Sequence, residues 1–189
     1  MGPTTFKAEL LRIARAENES LGALRRGDQQ LEDRIEFYRR SVRIRATPDV
    51  KAHYSAVFIS WCMCAAGASA TEFPAVAGHW QYAAFAARNV EAGTGLFWAR
   101  RIEDYAPQPG DLVHFNRDGG TVDYDGICAG SYKGESGIVV ARDGGEALIV
   151  VGNQEPPGNV GTERLALDES GLLIQRDSNP FICVIEVRK

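Results

Sequence analysis

Up to about residue 90 the apolar positions recur at helical intervals, and beyond residue 107 they alternate in short runs broken by turn residues. Phe6, Leu10, Ile13 and Ala14 form one helical stripe, with Thr5 or Thr4 as cap and an end near Leu21-Gly22. Asp28 opens a second helix, with Leu31, Ile35 and Tyr38 inward and Glu32, Asp33, Arg34, Glu36 and Arg39 toward water. Thr47-Pro48-Asp49 interrupts the pattern. A third helix from Ser55 to Ala66, stopped by Gly67, is apolar nearly all round, which predicts a central position. Phe73-Pro74 and Gly78-His79 read as loop, Trp80 to Asn89 as a short helix, and Gly93-Thr94-Gly95 as a turn.

The second half predicts strands at Asp111–Phe115, Gly137–Arg142, Ala147–Gly152, Glu163–Leu167 and Phe181–Val187. Asp143-Gly144-Gly145 signals a hairpin. The glycine-rich stretch 116–136 is long for a connection, and loops of that length are binding elements or disordered segments. Helices followed by strands give an α+β class, with N-terminal helices packed on an antiparallel sheet. No repeat or low-complexity linker marks a boundary, so one domain is expected over 1–189, helical to residue 106 and β-rich from 107.

Composition narrows the function classes. With 189 residues, 44% of them hydrophobic, the chain can bury a core without staples. A net charge of −4 lacks the basic surface that nucleic-acid binding needs. Met1 to Lys7 lacks the basic and apolar regions of a signal peptide, and no run approaches the roughly 20 apolar residues of a membrane span. The expectation is a chain cytoplasmic as synthesised, which would reach an outside target only through a secretion apparatus, lysis or an exported partner. Cys62, Cys64, Cys128 and Cys183 form no CxxC pair and have no histidine at zinc-site spacing. They read as reduced, mostly buried thiols, and Cys128 stands among aspartates that disfavour a thiolate. Asp118, Asp123 and Asp125 lack the spacing of a calcium loop. No cofactor and no metal is expected.

Five segments in one order carry a resemblance: Ala14–Glu17, Tyr54–Ser60 (Tyr-Ser-Ala-Val-Phe-Ile-Ser), Phe73-Pro74 with His79–Tyr82, Pro107–Leu112 (Pro-Gln-Pro-Gly-Asp-Leu), and Gly152-Asn153. From about Leu10 to Leu173 the chain resembles the bacterial domain-of-unknown-function family 2272. More distantly it is similar to the NlpC-type and CHAP peptidoglycan peptidases and amidases, which implies a papain-like fold. In those peptidases the nucleophilic cysteine opens a helix, where free N–H groups and the helix dipole favour a thiolate or an oxyanion.

Position by position, the resemblance puts Ser55 at the nucleophile, Glu135 at the histidine that starts a strand, and Asn153 at the orienting residue. A serine hydroxyl needs a positioned base, and a carboxylate near its ordinary pKa of about 4.3 serves poorly unless burial raises it. His79 is the other candidate base, expected on a loop; the bland alternative has it bonded to backbone and packed on Trp80 or Tyr82. His53 and His114 read as structural histidines, Asp111 as a turn cap, and Ser60 as a packed helix hydroxyl. Tyr54, Trp80, Tyr82 and His114 are the candidate substrate contacts.

Three functions stay open. The resemblance implies hydrolysis of a peptidoglycan amide by acyl transfer through Ser55, in the manner of an antibacterial effector with a cell-wall stem peptide as ligand and a cognate inhibitor or delivery protein as partner. The second is a pseudoenzyme that keeps the groove as a binding module. The third is a serine esterase or acyltransferase.

Overall fold

The computed structural model describes residues 5–189; Thr4, the alternative first cap, lies outside them. Among these residues five helices precede six strands. The helices are α1 (Phe6–Leu21), α2 (Gln29–Ser41), α3 (Pro48–Ala52), α4 (Ser55–Ala65) and α5 (His79–Ala92). The strands are β1 (Phe97–Arg100), β2 (Leu112–Asn116), β3 (Gly134–Asp143), β4 (Glu146–Gln154), β5 (Asn159–Ala166) and β6 (Phe181–Val187). They form one antiparallel sheet in the order β1-β6-β2-β3-β4-β5. The α+β reading with helices against an antiparallel sheet therefore holds.

Both faces of the sheet are apolar, and the two-residue strand period assigns them. Ile138, Val140, Val150 and Ile185 point to the helices, where they share a core with Leu10, Tyr38, Phe58 and Ile59. Val113, Val139, Ile149, Val151 and Val184 point the other way, under Ile102, Leu167, Leu173 and Phe181. Helix α4 lies in the middle of the first core, with every residue from Ser55 to Met63 buried, as its all-round apolar character predicts. Among the described residues no helix is long and apolar enough to cross a membrane.

Four local expectations change. Thr47-Pro48-Asp49 does more than interrupt: the Thr47 hydroxyl accepts from the Val50 N–H (3.1 Å) and Pro48 occupies the first turn, so the segment nucleates α3. His79 is the first residue of α5 rather than part of a loop. Strand β1 follows directly on the Gly93–Gly95 turn, with Phe97 and Ala99 buried and Trp98 and Arg100 outward; four residues are too few for a period to stand out. The 116–136 stretch is an ordered connection, pinned by the Asn116 amide, which donates to the carbonyls of Val122 (2.8 Å) and Pro180 (3.0 Å) and accepts from the Val122 N–H (3.0 Å).

Candidate active site

The starts of α4 and α5 meet over one end of the sheet. Helix α4 opens at Ser55 with no side-chain cap, so its first N–H groups have no intrahelical partner. Ser60, one turn further on, clamps the segment that leads into α5: its hydroxyl donates to the Val76 carbonyl (2.9 Å) and accepts from the Val76 N–H (3.0 Å). That clamp fixes the approach of His79, and the Ser55 Oγ lies 2.7 Å from His79 Nε2.

Glu135 arrives from the beginning of β3. Its Oε1 is 2.9 Å from the same His79 Nε2, while its Oε2 faces Arg117 Nη1 at 3.3 Å. The other ring nitrogen, Nδ1, meets the hydroxyl of Tyr82, one helical turn along α5. Behind them a second histidine is buried: His114 Nδ1 is 2.8 Å from the Ser136 hydroxyl and Nε2 is 2.9 Å from the Tyr132 hydroxyl. The two imidazoles stack with ring centres 6.5 Å apart.

Ser55 lies in the wall of a cavity of about 290 Å³, bounded also by His53, His79, Trp80, Arg117 and Lys133. A second cavity of about 260 Å³ lies beyond Arg117 and Glu135 and has Asn153 and Glu163 in its wall. Arg117 and Asp118 belong to both.

The predicted residues thus divide. Ser55, His79 and Glu135 come together, but Glu135 stands beside the imidazole instead of replacing it. Asn153 does not orient His79, because Nδ1 is taken by Tyr82 and both amide atoms of Asn153 are buried without a partner. Its backbone is left-handed at φ 57°, an uncommon state for a side-chain-bearing residue, where β4 leaves its regular register. Tyr54 is no substrate contact: it is fully buried, its hydroxyl donates to the Gly158 carbonyl (3.1 Å) and Arg26 covers its ring. His114 and Tyr82 are equally enclosed, so they support the site from behind. Trp80 remains in the cavity wall.

One further sequence reading changes. Cys128 is exposed, whereas Cys62 and Cys183 are buried and Cys64 is partly so. Trp98 donates its indole N–H to the Thr94 carbonyl (2.8 Å), and the guanidinium groups of Arg100 and Arg188 lie over its ring. Tyr82 and Tyr132 are the site residues that sequence reasoning gave no supporting role. The His-x-x-Tyr spacing held the signal for Tyr82, since it places both side chains on one helical face.

Burial, and secondarily the nearby His79, lowers the pKa of His114 from 6.5 to about 3. His114 is therefore neutral in the folded chain and protonated in the unfolded chain between those values. The unfolded state binds more protons there, so stability from this group is complete above pH 6.5 and is lost as pH falls toward 3. The slope approaches about 1.4 kcal/mol per pH unit. His114→Gln should flatten it in urea titrations run at several pH values. Equal slopes for parent and variant would show that His114 is not buried in neutral form.

A family model described as "Uncharacterized protein conserved in bacteria (DUF2272)" matches residues 33–183. No curated protein and no solved structure matches the chain.

Proposed function

For a chain that belongs to the bacterial DUF2272 family, we propose acyl-transfer hydrolysis on a papain-like scaffold, with Ser55 as nucleophile, His79 as base and an amide of a cell-wall peptide as substrate. The observation that carries this reading is the 2.7 Å contact between the Ser55 Oγ and His79 Nε2 at the mouth of a helix N-terminus inside a cavity. A hydroxyl becomes a useful nucleophile when a base stands within hydrogen-bond reach, and 2.7 Å meets that condition.

In this mechanism Ser55 attacks the carbonyl carbon while its proton passes to His79 Nε2. The carbonyl oxygen becomes an oxyanion facing the free N–H groups at the start of α4, where the helix dipole also favours negative charge. The imidazolium is flanked by the Glu135 carboxylate, whose charge stabilises it. It then protonates the leaving amine as the carbon–nitrogen bond breaks. Water repeats the cycle on the ester, returning Ser55 and releasing the acid. A cell-wall substrate would require delivery out of the cytoplasm.

One observation favours the binding-module reading instead. Glu135 and Ser55 share a single nitrogen of His79, and an ionised carboxylate there favours a proton on Nε2. A protonated Nε2 cannot accept from Ser55, so the carboxylate that stabilises the imidazolium also opposes formation of the free base.

The deciding experiment treats folded wild type and Ser55→Ala with a fluorophosphonate probe across pH 5–9. Acyl transfer predicts labelling of wild type alone. Absence of labelling in folded wild type, together with retained binding of stem-peptide fragments, would establish the binding module. Turnover of matched ester and amide substrates separates an esterase from an amidase.

A further inference from the structure

We propose that Tyr82 is the positioning residue for His79: its hydroxyl, with the Ser136–His114–Tyr132 row behind it, accepts a hydrogen bond from the Nδ1–H, which stays on the ring when Nε2 takes the proton of Ser55. The proposal rests on the acyl-transfer reading above and assigns a role outside the cavity.

An imidazole that accepts a proton at Nε2 must already carry one at Nδ1. His79 is buried and Nδ1 has one polar neighbour, the Tyr82 oxygen. An N–H buried without a partner carries a full desolvation penalty, so this oxygen decides whether the imidazolium can form. Tyr82 is itself fully buried, and burial holds its hydroxyl well above the usual phenol range, so it stays neutral. Once Tyr82 accepts from Nδ1, its own proton needs an acceptor, and the Ser136 hydroxyl is the neighbouring group whose influence opposes the burial of the Tyr82 hydroxyl.

Ser136 in turn contacts His114 Nδ1 at 2.8 Å, and His114 Nε2 contacts the Tyr132 hydroxyl at 2.9 Å. A neutral imidazole between two hydroxyls can donate at either nitrogen and accept at the other. The row is therefore satisfied whichever way its hydrogen bonds point, and it can serve both the resting and the protonated His79. In a Ser-His-Asp triad one carboxylate both directs the imidazole and supplies negative charge. Here the two tasks are divided: Tyr82 directs from Nδ1, and Glu135 supplies charge beside Nε2.

The test joins a kinetic and a spectroscopic reading of Tyr82→Phe, which removes one oxygen and keeps the ring. Fluorophosphonate labelling of Ser55 should slow by roughly 10- to 100-fold. The acid limb of its pH profile should move to lower pH relative to the parent, because an imidazolium lacking an Nδ1 partner forms less readily. Long-range ¹H–¹⁵N spectra of Ser55→Ala and Ser55→Ala/Tyr82→Phe read the same proton without any chemistry, and the His79 ring-nitrogen shifts and titration should differ between them. Ser136→Ala should change both readings in the same direction by a smaller factor, about 3- to 10-fold, and decides the matter if Tyr82→Phe fails to fold. Ring-nitrogen shifts and titration unchanged in the variants would overturn the proposal. Changed shifts in a protein that never labels would uphold Tyr82's role while refuting the hydrolase.

Discussion

His79→Ala is expected to slow fluorophosphonate labelling of Ser55 by about 10²- to 10⁴-fold, the usual worth of a positioned general base. The substitution leaves the nucleophile where it is, because Ser55 is carried by α4, whose residues through Met63 are buried in the helix-side core. What disappears is the acceptor 2.7 Å from the hydroxyl. Glu135 then loses its imidazole neighbour and keeps Arg117 at 3.3 Å. Since Glu135 acts through His79, removing both should cost little more than removing His79 alone, and residues that work as a unit show this non-additivity. If the double variant is slower by the product of the two single effects, Glu135 acts on the substrate directly. If His79→Ala labels at the parent rate, the serine is activated by another group and the Ser55–His79 mechanism is wrong.

The components of this site were unequally legible. The placement of Ser55 at the opening of a buried helix follows from an apolar run preceded by a break, whereas Glu135 at a strand start follows only from the resemblance, since the apolar run alone begins that strand at Gly137 and β3 begins at Gly134. Their meeting point could not be read in this way. It depends on Ser60 holding the Val76 segment, a contact between a helix hydroxyl and a loop backbone that leaves no periodic trace. His79 looked like a loop residue because Gly78 precedes it, yet the same glycine serves as the N-cap of α5. Asn153 shows the opposite failure. Its position at the end of β4 was legible, but a left-handed backbone in an irregular register leaves its amide with no partner, and strand alternation does not reveal that. On the other side of the sheet, β1 is held by pairing with the last strand, Phe97 against Val187, a partner 90 residues away.

Asp111 illustrates the same limit and carries the largest expected loss of stability: Asp111→Ala should cost about 3–5 kcal/mol, because it removes the acceptor of several donors at about 1–3 kcal/mol each. The Pro-Gly-Asp-Leu motif reads as a turn, and the Asp111 carboxylate does accept from the Gln108 N–H at 2.9 Å. It also accepts from Lys7 Nζ on α1 (2.9 Å), from the Tyr105 hydroxyl (2.9 Å) and from the Val187 N–H at the end of β6 (3.0 Å). The carboxylate is completely buried, so one side chain joins the first helix, the entry to β2 and the last strand. Alanine would strand the buried Val187 N–H away from water and remove the acceptor of the Gln108 N–H and the Tyr105 hydroxyl, whereas the Lys7 ammonium, whose side chain is 29% exposed, can turn outward. The backbone donors therefore account for more of the loss than the ion pair. Asp111→Asn keeps one acceptor oxygen but turns a donor toward Lys7 or toward Tyr105, and should lose about half as much. Urea denaturation checks both variants. In thermal unfolding, a 3–5 kcal/mol loss in a chain of this length corresponds to a midpoint lower by roughly 6–20 °C. Adding Lys7→Met to Asp111→Ala separates the two contributions: nearly unchanged stability relative to Asp111→Ala supports the backbone donors as the main term, and a further loss above about 1 kcal/mol assigns Lys7 a second role in packing. A cost below 1 kcal/mol for Asp111→Ala itself would mean that water enters and satisfies these donors, contrary to the complete burial of the carboxylate.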